Sequence, residues 1–358
     1  MWFREGMACV AAEGPPLPNR RRELAAHPLL GELPKTLVHM DGAEHNAYRH
    51  VANDWFKPAA VKQRQAAIDA IADEFADRML EFGDSCDFAQ DVAVPFTLRV
   101  IMSIFGVPRS DERLMLELTQ GLFGAADPEY LGDFSDPFEA TMTMVRRFDE
   151  YFGALSADRR ACPTDDLASV LANGTVDGCP MGDTETLWYY IIVATAGHDT
   201  TSYALSGGWE ALLRHPDQLQ RLQADPSLCQ NAAEEMIRWT APVRHFLRYA
   251  QADVEVGGVR IPAGERVLLS YPSANRDDTV FADPMRFDID RPNAKELLSF
   301  GLGVHYCLGS QFARREVRTL TQKVLERVSH IELAGDPAWA EAHFVGGVKH
   351  LPVAFRAR

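Results

Sequence analysis

The sequence predicts a mainly α, α+β fold, and three observations carry that expectation. Apolar residues recur at spacings of three and four through most of the chain, as in amphipathic helices. A run from Leu187 to Gly197 is apolar on every side, the mark of a central helix. Only after Pro242 does the pattern turn strand-like. With 358 residues, 46% of them hydrophobic, the chain can bury a sizeable core as one large domain or two.

Residues 1–38 give the weakest pattern. Gly14-Pro15-Pro16-Leu17-Pro18 bars regular helix and inner strand, and Arg20, Arg21 and Arg22 follow. From Asp41 the chain reads as helical, with Ile68, Ile71, Phe75, Met79 and Phe82 forming one stripe. Helices are expected near 95–105, 110–123 and 137–155. A Gly- and Pro-bearing connection is expected from Ser156 to Gly182, with one short helix near Leu167 to Leu171. Asp183 or Thr184 offers an N-cap for a helix of roughly 30 residues, about 45 Å long, ending before Pro216. Another helix is expected near 228–239. Val254–Val256 and Val259–Ile261 flank Gly257-Gly258 as a hairpin, and Arg266 to Tyr271 reads as a strand. A Pro- and Asp-rich meander fills 272–299. A last long helix carries Ala313, Val317, Leu320, Val324 and Val328 on one face, and short strands close the chain near 344–355.

Composition narrows the function. The formal charge of -15 argues against a nucleic-acid or anionic-membrane binder, which needs clustered Lys and Arg. The six cysteines (9, 86, 162, 179, 229 and 307) are too scattered for a disulfide framework or zinc ribbon. No run approaches the roughly 20 apolar residues of a spanning helix. A cytoplasmic protein is expected.

Two stretches carry chemistry. Phe300-Gly301-Leu302-Gly303-Val304-His305-Tyr306-Cys307-Leu308-Gly309 stands just before the last helix. Glycines around one cysteine let backbone approach a bulky planar ligand, and a helix N-terminus favours thiolate. Ala196-Gly197-His198-Asp199-Thr200-Thr201 interrupts the long apolar helix. An acid and two hydroxyls there need partners or a wet cavity. Thr200 can bond back to the Ala196 carbonyl, bending the helix. Glu235 and Arg238, three apart, share a helix face, as do His45 and Arg49, four apart.

The cysteine stretch resembles the heme-binding loop of the cytochromes P-450, and the likeness extends in order over about residues 40–358. It implies the P-450 fold, a helical prism around heme with a small β region. It assigns the axial thiolate of heme b to Cys307, and delivery of protons to bound dioxygen to Asp199 and Thr200. His45, Arg49, Arg248 and His305 are implied to hold the heme propionates. Glu235, Arg238 and Arg291 are implied to form a structural trio, with Thr201 and His198 as structural neighbours. Pocket positions by resemblance are Ile192, Ala196, Val243, Phe246 and Val345. Trp239–Val243, Ser270–Asp277 and Phe344–Gly347 look most similar to the bacterial terpineol-oxidising branch.

The resemblance thus implies a heme-thiolate monooxygenase acting on a compact apolar substrate such as a terpenoid. Its electrons would come from a ferredoxin fed by an NAD(P)H-dependent reductase. Arg314, Arg315 and Arg318 are expected to face that acidic donor. Family members usually carry several tens more residues before the helix with His45, so residues 39–358 are read as an N-terminally shortened domain after a poorly matched segment, 1–38. An unpaired sheet edge is expected near Val254 to Tyr271. Two rivals stand beside this reading: a peroxide-driven peroxygenase, and a truncated non-catalytic heme-binding protein.

Overall fold

The computed structural model describes residues 9–11, 36–123, 127–131 and 137–358. The Gly14–Pro18 and Arg20–Arg22 stretches lie outside the described residues. In chain order, strand β1 (Cys9–Ala11) precedes helices α1 (Gly42–Asn53) and α2 (Gln65–Glu81) and strand β2 (Ser85–Asp87). Helices α3 (Val94–Phe105), α4 (Glu112–Phe123), α5 (Pro137–Ala161) and α6 (Leu167–Ala172) follow. The centre is α7 (Asp183–Arg214), then α8 (Pro216–Ala224) and α9 (Cys229–Thr240). Strands β3 (His245–Ala250), β4 (Val254–Val256), β5 (Val259–Ile261) and β6 (Arg266–Ser270) come next. Helix α10 (Ser310–Arg327) leads into β7 (Val328–Leu333), β8 (Val348–His350) and β9 (Pro352–Ala357).

Helix α7 spans 32 residues and is buried on nearly every side, against α3, α9 and α10. Its all-round apolar sequence is what a central position requires, since no face meets water. It begins at Asp183 with Gly182 in the N-cap position, one residue before the expected cap. The hydrophobic core is continuous from the α2 stripe through α3 and α7 to α10. Phe88–Phe105, a turn of wider helix running into α3, is the one stretch among the described residues long and apolar enough to cross a membrane; 72% of it is buried here. A core helix of this kind passes the same test as a spanning one.

Some expectations need correction. Helix α5 runs on to Ala161, because its apolar stripe persists through Phe152 while Ser156 is buried inside it. The connection to α7 therefore starts later than Ser156, and it holds a two-stranded hairpin, Thr175–Val176 with Cys179–Pro180. Val328 belongs to β7, which continues straight out of α10; β-branched Val328 and Ile331 suit a strand, and Ile331 and Leu333 share one of its faces. It pairs with β9, which also pairs with β2. The expected bare edge near Val254 to Tyr271 stands among the described residues, since β6 lies at the outside of its sheet. Strand β1 pairs antiparallel with β3, Ala11 opposite Arg248, in a sheet of order β1-β3-β6. The Gly257-Gly258 hairpin stands as expected, both glycines at positive φ.

Candidate active site

The cysteine loop is held by an ion-pair web. Glu235 accepts from Arg238 Nε at 2.6 Å and Nη2 at 2.7 Å, a bidentate pair within α9. Arg291 Nε from the meander reaches the same carboxylate at 3.1 Å. Glu235 and Arg238 are wholly buried, so the web must be complete to be tolerated. Arg238 Nη1 donates to the Asn275 carbonyl at 2.7 Å, and Arg291 Nη1 to that of Ala282 at 2.6 Å. Asn275 in turn binds Ser299 Oγ and the Leu298 N–H, both at 2.7 Å. The web therefore carries its order directly to the residues before Phe300.

From there the loop closes on itself. The Cys307 N–H donates to the Phe300 carbonyl at 2.8 Å. Gly301 has φ +69, and a Cβ there would stand 3.2 Å from the Tyr271 hydroxyl, so both conformation and space demand glycine. Burial pushes the Cys307 thiol above its ordinary range, while the Gly309 N–H and the guanidinium groups of Arg49 and Arg314 pull the other way.

Cys307 lines a cavity with about 1500 Å³ of atom-free space, its mouth included. Arg49, Arg248, His45 and His305 line it too. The His45 and His305 rings lie 4.2 Å apart, and Arg49 and Arg248 both act on His305 electrostatically. Burial lowers the His305 pKa, against the opposing contact of Asp41 Oδ1 at 3.2 Å. Burial and the neighbouring His305 and Arg49 lower that of His45. Arg49 also anchors the loop, donating to the Tyr306 carbonyl at 2.6 Å. Four positive or ionisable groups thus gather where the cavity lining holds a single carboxyl, Glu316. The rest is largely aliphatic and aromatic, with Ile192, Ala196, Val243 and Phe246 among the lining as expected.

Val345 is not in that lining. It bridges to Val243 across the backbone and faces a separate narrow cleft. Asp199 faces that cleft as well, with Gln120, Asp127, Tyr130 and Tyr203. Thr200 and Thr201 line the main cavity. The two halves of the polar motif therefore open to different spaces, because successive residues on a helix point about 100° apart. Thr200 Oγ1 does bond back to the Ala196 carbonyl, at 2.8 Å. Asp199 is 7% exposed and its Oδ2 has no hydrogen-bond partner. The His198 ring nitrogen stands 2.9 Å from Asp199 Oδ1 without hydrogen-bond alignment.

Of the three arginines after the loop, Arg314 and Arg315 turn to partly buried partners, while Arg318 bonds at the surface. Arg314 Nε pairs with Glu234 Oε1 at 2.9 Å and its Nη1 meets Tyr306 Oη at 2.9 Å. Arg315 reaches Gln65, and Arg318 Nη1 reaches Gln230 Oε1 at 2.9 Å.

Several residues went unnoticed in the sequence. Ile101 and Ile104 of α3 line the cavity, as does Glu316, whose burial raises its carboxyl to about 8. An acid inside the apolar face of α10 was the available signal for Glu316. Tyr203, one turn after Asp199, was also visible by spacing. Tyr130 and Asp127 reach the cleft only through tertiary packing.

The cavity fits heme. A flat ligand, apolar over its body and anionic at one edge, matches an apolar space with cations gathered together and one cysteine in its wall. Among the described residues there is no group of three His, Cys, Asp or Glu that could hold a metal.

Comparison with known proteins agrees. The cytochrome P450 family model matches residues 20–340. The chain is 42% identical over 328 residues to Cytochrome P450-terp of a Pseudomonas species, covering 89% of this chain and 76% of that one. It is 38% identical to the Steroid C26-monooxygenase of Mycobacterium tuberculosis, covering 89% and 85%. Among solved structures, CYP108D1 from Novosphingobium aromaticivorans superimposes with a TM-score of 0.87 at 42% identity, over 98% of this chain and 84% of that one. The family model, these identities and this superposition place the chain in the cytochrome P450 family, as a monooxygenase built around heme b with a cysteine thiolate on its iron.

Proposed function

We propose that Cys307 supplies the axial thiolate and that the enzyme oxygenates a C–H bond of a compact apolar molecule, a terpenoid alcohol such as terpineol. The observation that carries this reading is the placement of Cys307 in the wall of the cavity that Thr200 enters from α7. When bound, heme with its thiolate supplies dioxygen binding and O–O cleavage. The protein's residues set everything around that chemistry.

His45, Arg49, Arg248 and His305 hold the propionates, a use of charge-assisted bonds that also closes one edge of the site. Ile192, Ala196, Val243 and Phe246 press an apolar substrate toward the centre and exclude water. Val345 acts at one remove, by fixing Val243. The lining's few polar side chains away from the cations, Thr200, Thr201 and Ser299 among them, leave little to recognise a charged substrate.

Overall, R–H, dioxygen, two electrons and two protons become R–OH and water. Asp199 takes up a proton on the cleft side of α7, and rotation of the carboxyl carries it toward Thr200, the next residue on the helix. Thr200 Oγ1, tied to the Ala196 carbonyl, holds a hydrogen-bonding oxygen at the cavity wall. The electrons come from a ferredoxin-type donor with its NAD(P)H-dependent reductase, and the protein works in the cytoplasm. The donor docks on the side of the cysteine loop, where Leu302 and Val304 are exposed; Arg314, held by Glu234, contributes less there than its sequence position suggests.

Cys307→Ala tests the assignment. The reduced carbonyl complex of the wild type is expected to show the red-shifted Soret band of thiolate ligation, and the variant to lose it. A variant with an unchanged band would rule Cys307 out.

A further inference from the structure

We infer that the cleft behind Asp199 is the inner part of a proton-entry route that starts at His350 and Glu129 on the surface. It continues through the Lys349–Asp127 pair to the hydroxyls of Tyr130 and Tyr203. The inference rests on the reading that Asp199 delivers protons to the cavity.

The outer part is a chain of charge-assisted contacts. His350, one-third exposed, holds Asp87 through Nδ1 at 2.6 Å and Glu129 through Nε2 at 2.9 Å. Lys349 Nζ lies 2.9 Å from Glu129 and 2.8 Å from Asp127. Asp127 is almost wholly buried, so this chain spans the distance from solvent to interior within four side chains. Burial alone would raise its carboxyl, but Lys349 and the N–H groups of Glu341 and Glu129 hold it below the usual range. The opposite balance holds His350 above the usual imidazole range, with Asp87 and Glu129 outweighing burial, so it readily carries a proton at the entrance.

The inner part is neutral. Tyr130 and Tyr203 line the cleft with Asp127 and Asp199; their hydroxyls bond each other, and Asp199 acts electrostatically on both. Burial, reinforced by Tyr130 and the carboxylates of Asp199 and Asp127, keeps the Tyr203 hydroxyl protonated far above neutrality. A hydroxyl that stays neutral can accept one proton as it donates another. At the end stands Asp199 Oδ2, buried and without a hydrogen-bond partner. An unsatisfied buried carboxylate oxygen is costly, and an acceptor left open toward the cleft is what a route of this kind requires. The remaining cleft walls are Gln120, Ala340, Ala342 and Val345, none of which ionises. His198 is the other ionisable side chain beside Asp199, and it lies outside the cleft lining. Each transfer breaks one N–H or O–H bond as the next forms, so solvent ends one proton poorer and Asp199 one richer.

The test uses heme-loaded enzyme. Tyr203→Phe removes a hydroxyl and keeps the ring; Asp127→Asn keeps the shape and removes a charge. Dioxygen consumption is measured with an artificial one-electron donor and terpineol, in H2O and D2O. Tyr203→Phe is expected to slow it about tenfold and roughly double the solvent isotope effect. Separately, the carbon-13 carboxyl signal of Asp199 is titrated in the diamagnetic reduced carbonyl form. Asp127→Asn is expected to move its midpoint down by about one pH unit, because one negative charge leaves the cleft. Glu129→Gln, which frees Lys349 to act inward, shifts it the same way and serves if Asp127→Asn fails to hold heme. A wild-type isotope effect in Tyr203→Phe, or an unmoved midpoint, overturns the route. If Asp199→Asn itself keeps wild-type rate and isotope effect, the reading beneath the route fails instead.

Discussion

The two walls of the cavity satisfy their polar groups in opposite ways. On the cysteine side, Glu235, Arg238 and Arg291 are buried and joined by short bonds, and Asn275 and Ser299 pass that order to the loop. On the α7 side, Asp199 Oδ2 and both His198 ring nitrogens are buried without a hydrogen-bond partner. A complete web fixes one geometry, since breaking any member strands a charge in low dielectric. Unsatisfied groups keep several arrangements close in energy. The first suits a ligand that must not move, the second a proton that must.

The largest expected effect breaks the cysteine side. Arg238→Ala strands Glu235 and should cost about 3–5 kcal/mol, enough to unfold the loop and release heme. Chemical denaturation with heme retention followed by absorbance checks this; a loss under 1 kcal/mol would contradict the role of the web.

Glu316→Gln comes next. Its carboxyl is raised by burial to about 8 in the folded chain, against about 4.5 when unfolded. The unfolded state therefore ionises first as pH rises, and stability contributed below pH 4.5 is lost progressively up to about 8. The neutral amide escapes this loss, so the variant should gain about 3 kcal/mol over wild type at pH 7 and almost nothing at pH 4. Denaturation midpoints at the two pH values give the answer.

The smallest change in stability belongs to Thr200→Ala, which removes one hydroxyl bond to Ala196 and should cost about 1 kcal/mol or less. Its functional effect is of another kind. Heme and substrate should still bind while electrons are diverted to hydrogen peroxide, as counted by product per electron. Wild-type product yield in this variant would mean that the α7 side needs no hydroxyl.

Most of this contrast was legible in the sequence, because both walls are local motifs. Cys307 and its glycines, Thr200 with the Ala196 carbonyl, and Glu235 with Arg238 lie within a few residues of each other. What spacing could not give was direction. Asp199 and Thr200 are neighbours in sequence, yet helix geometry turns them into separate spaces. Val345 resembled a pocket residue but bonds backbone to Val243 and looks elsewhere. Arg314 read as an exposed cation, although Glu234 across the interface of α9 and α10 claims it. The pairing of β1 with β3 depends on residues more than 200 positions apart, and short strands leave little pattern to find.

Gly197 ties the width of the substrate space to the spacing of two helices. A Cβ there would sit 3.0 Å from Ile101 Cδ1, so α3 and α7 meet with no atom to spare. Adding a methyl at 197 would press on the end of the Ile101 side chain, which would have to give by a few tenths of an ångström. Trimming Ile101 would open room for a bulkier guest while the helices keep their distance. Selectivity for larger molecules is therefore best sought on the α3 side of that contact.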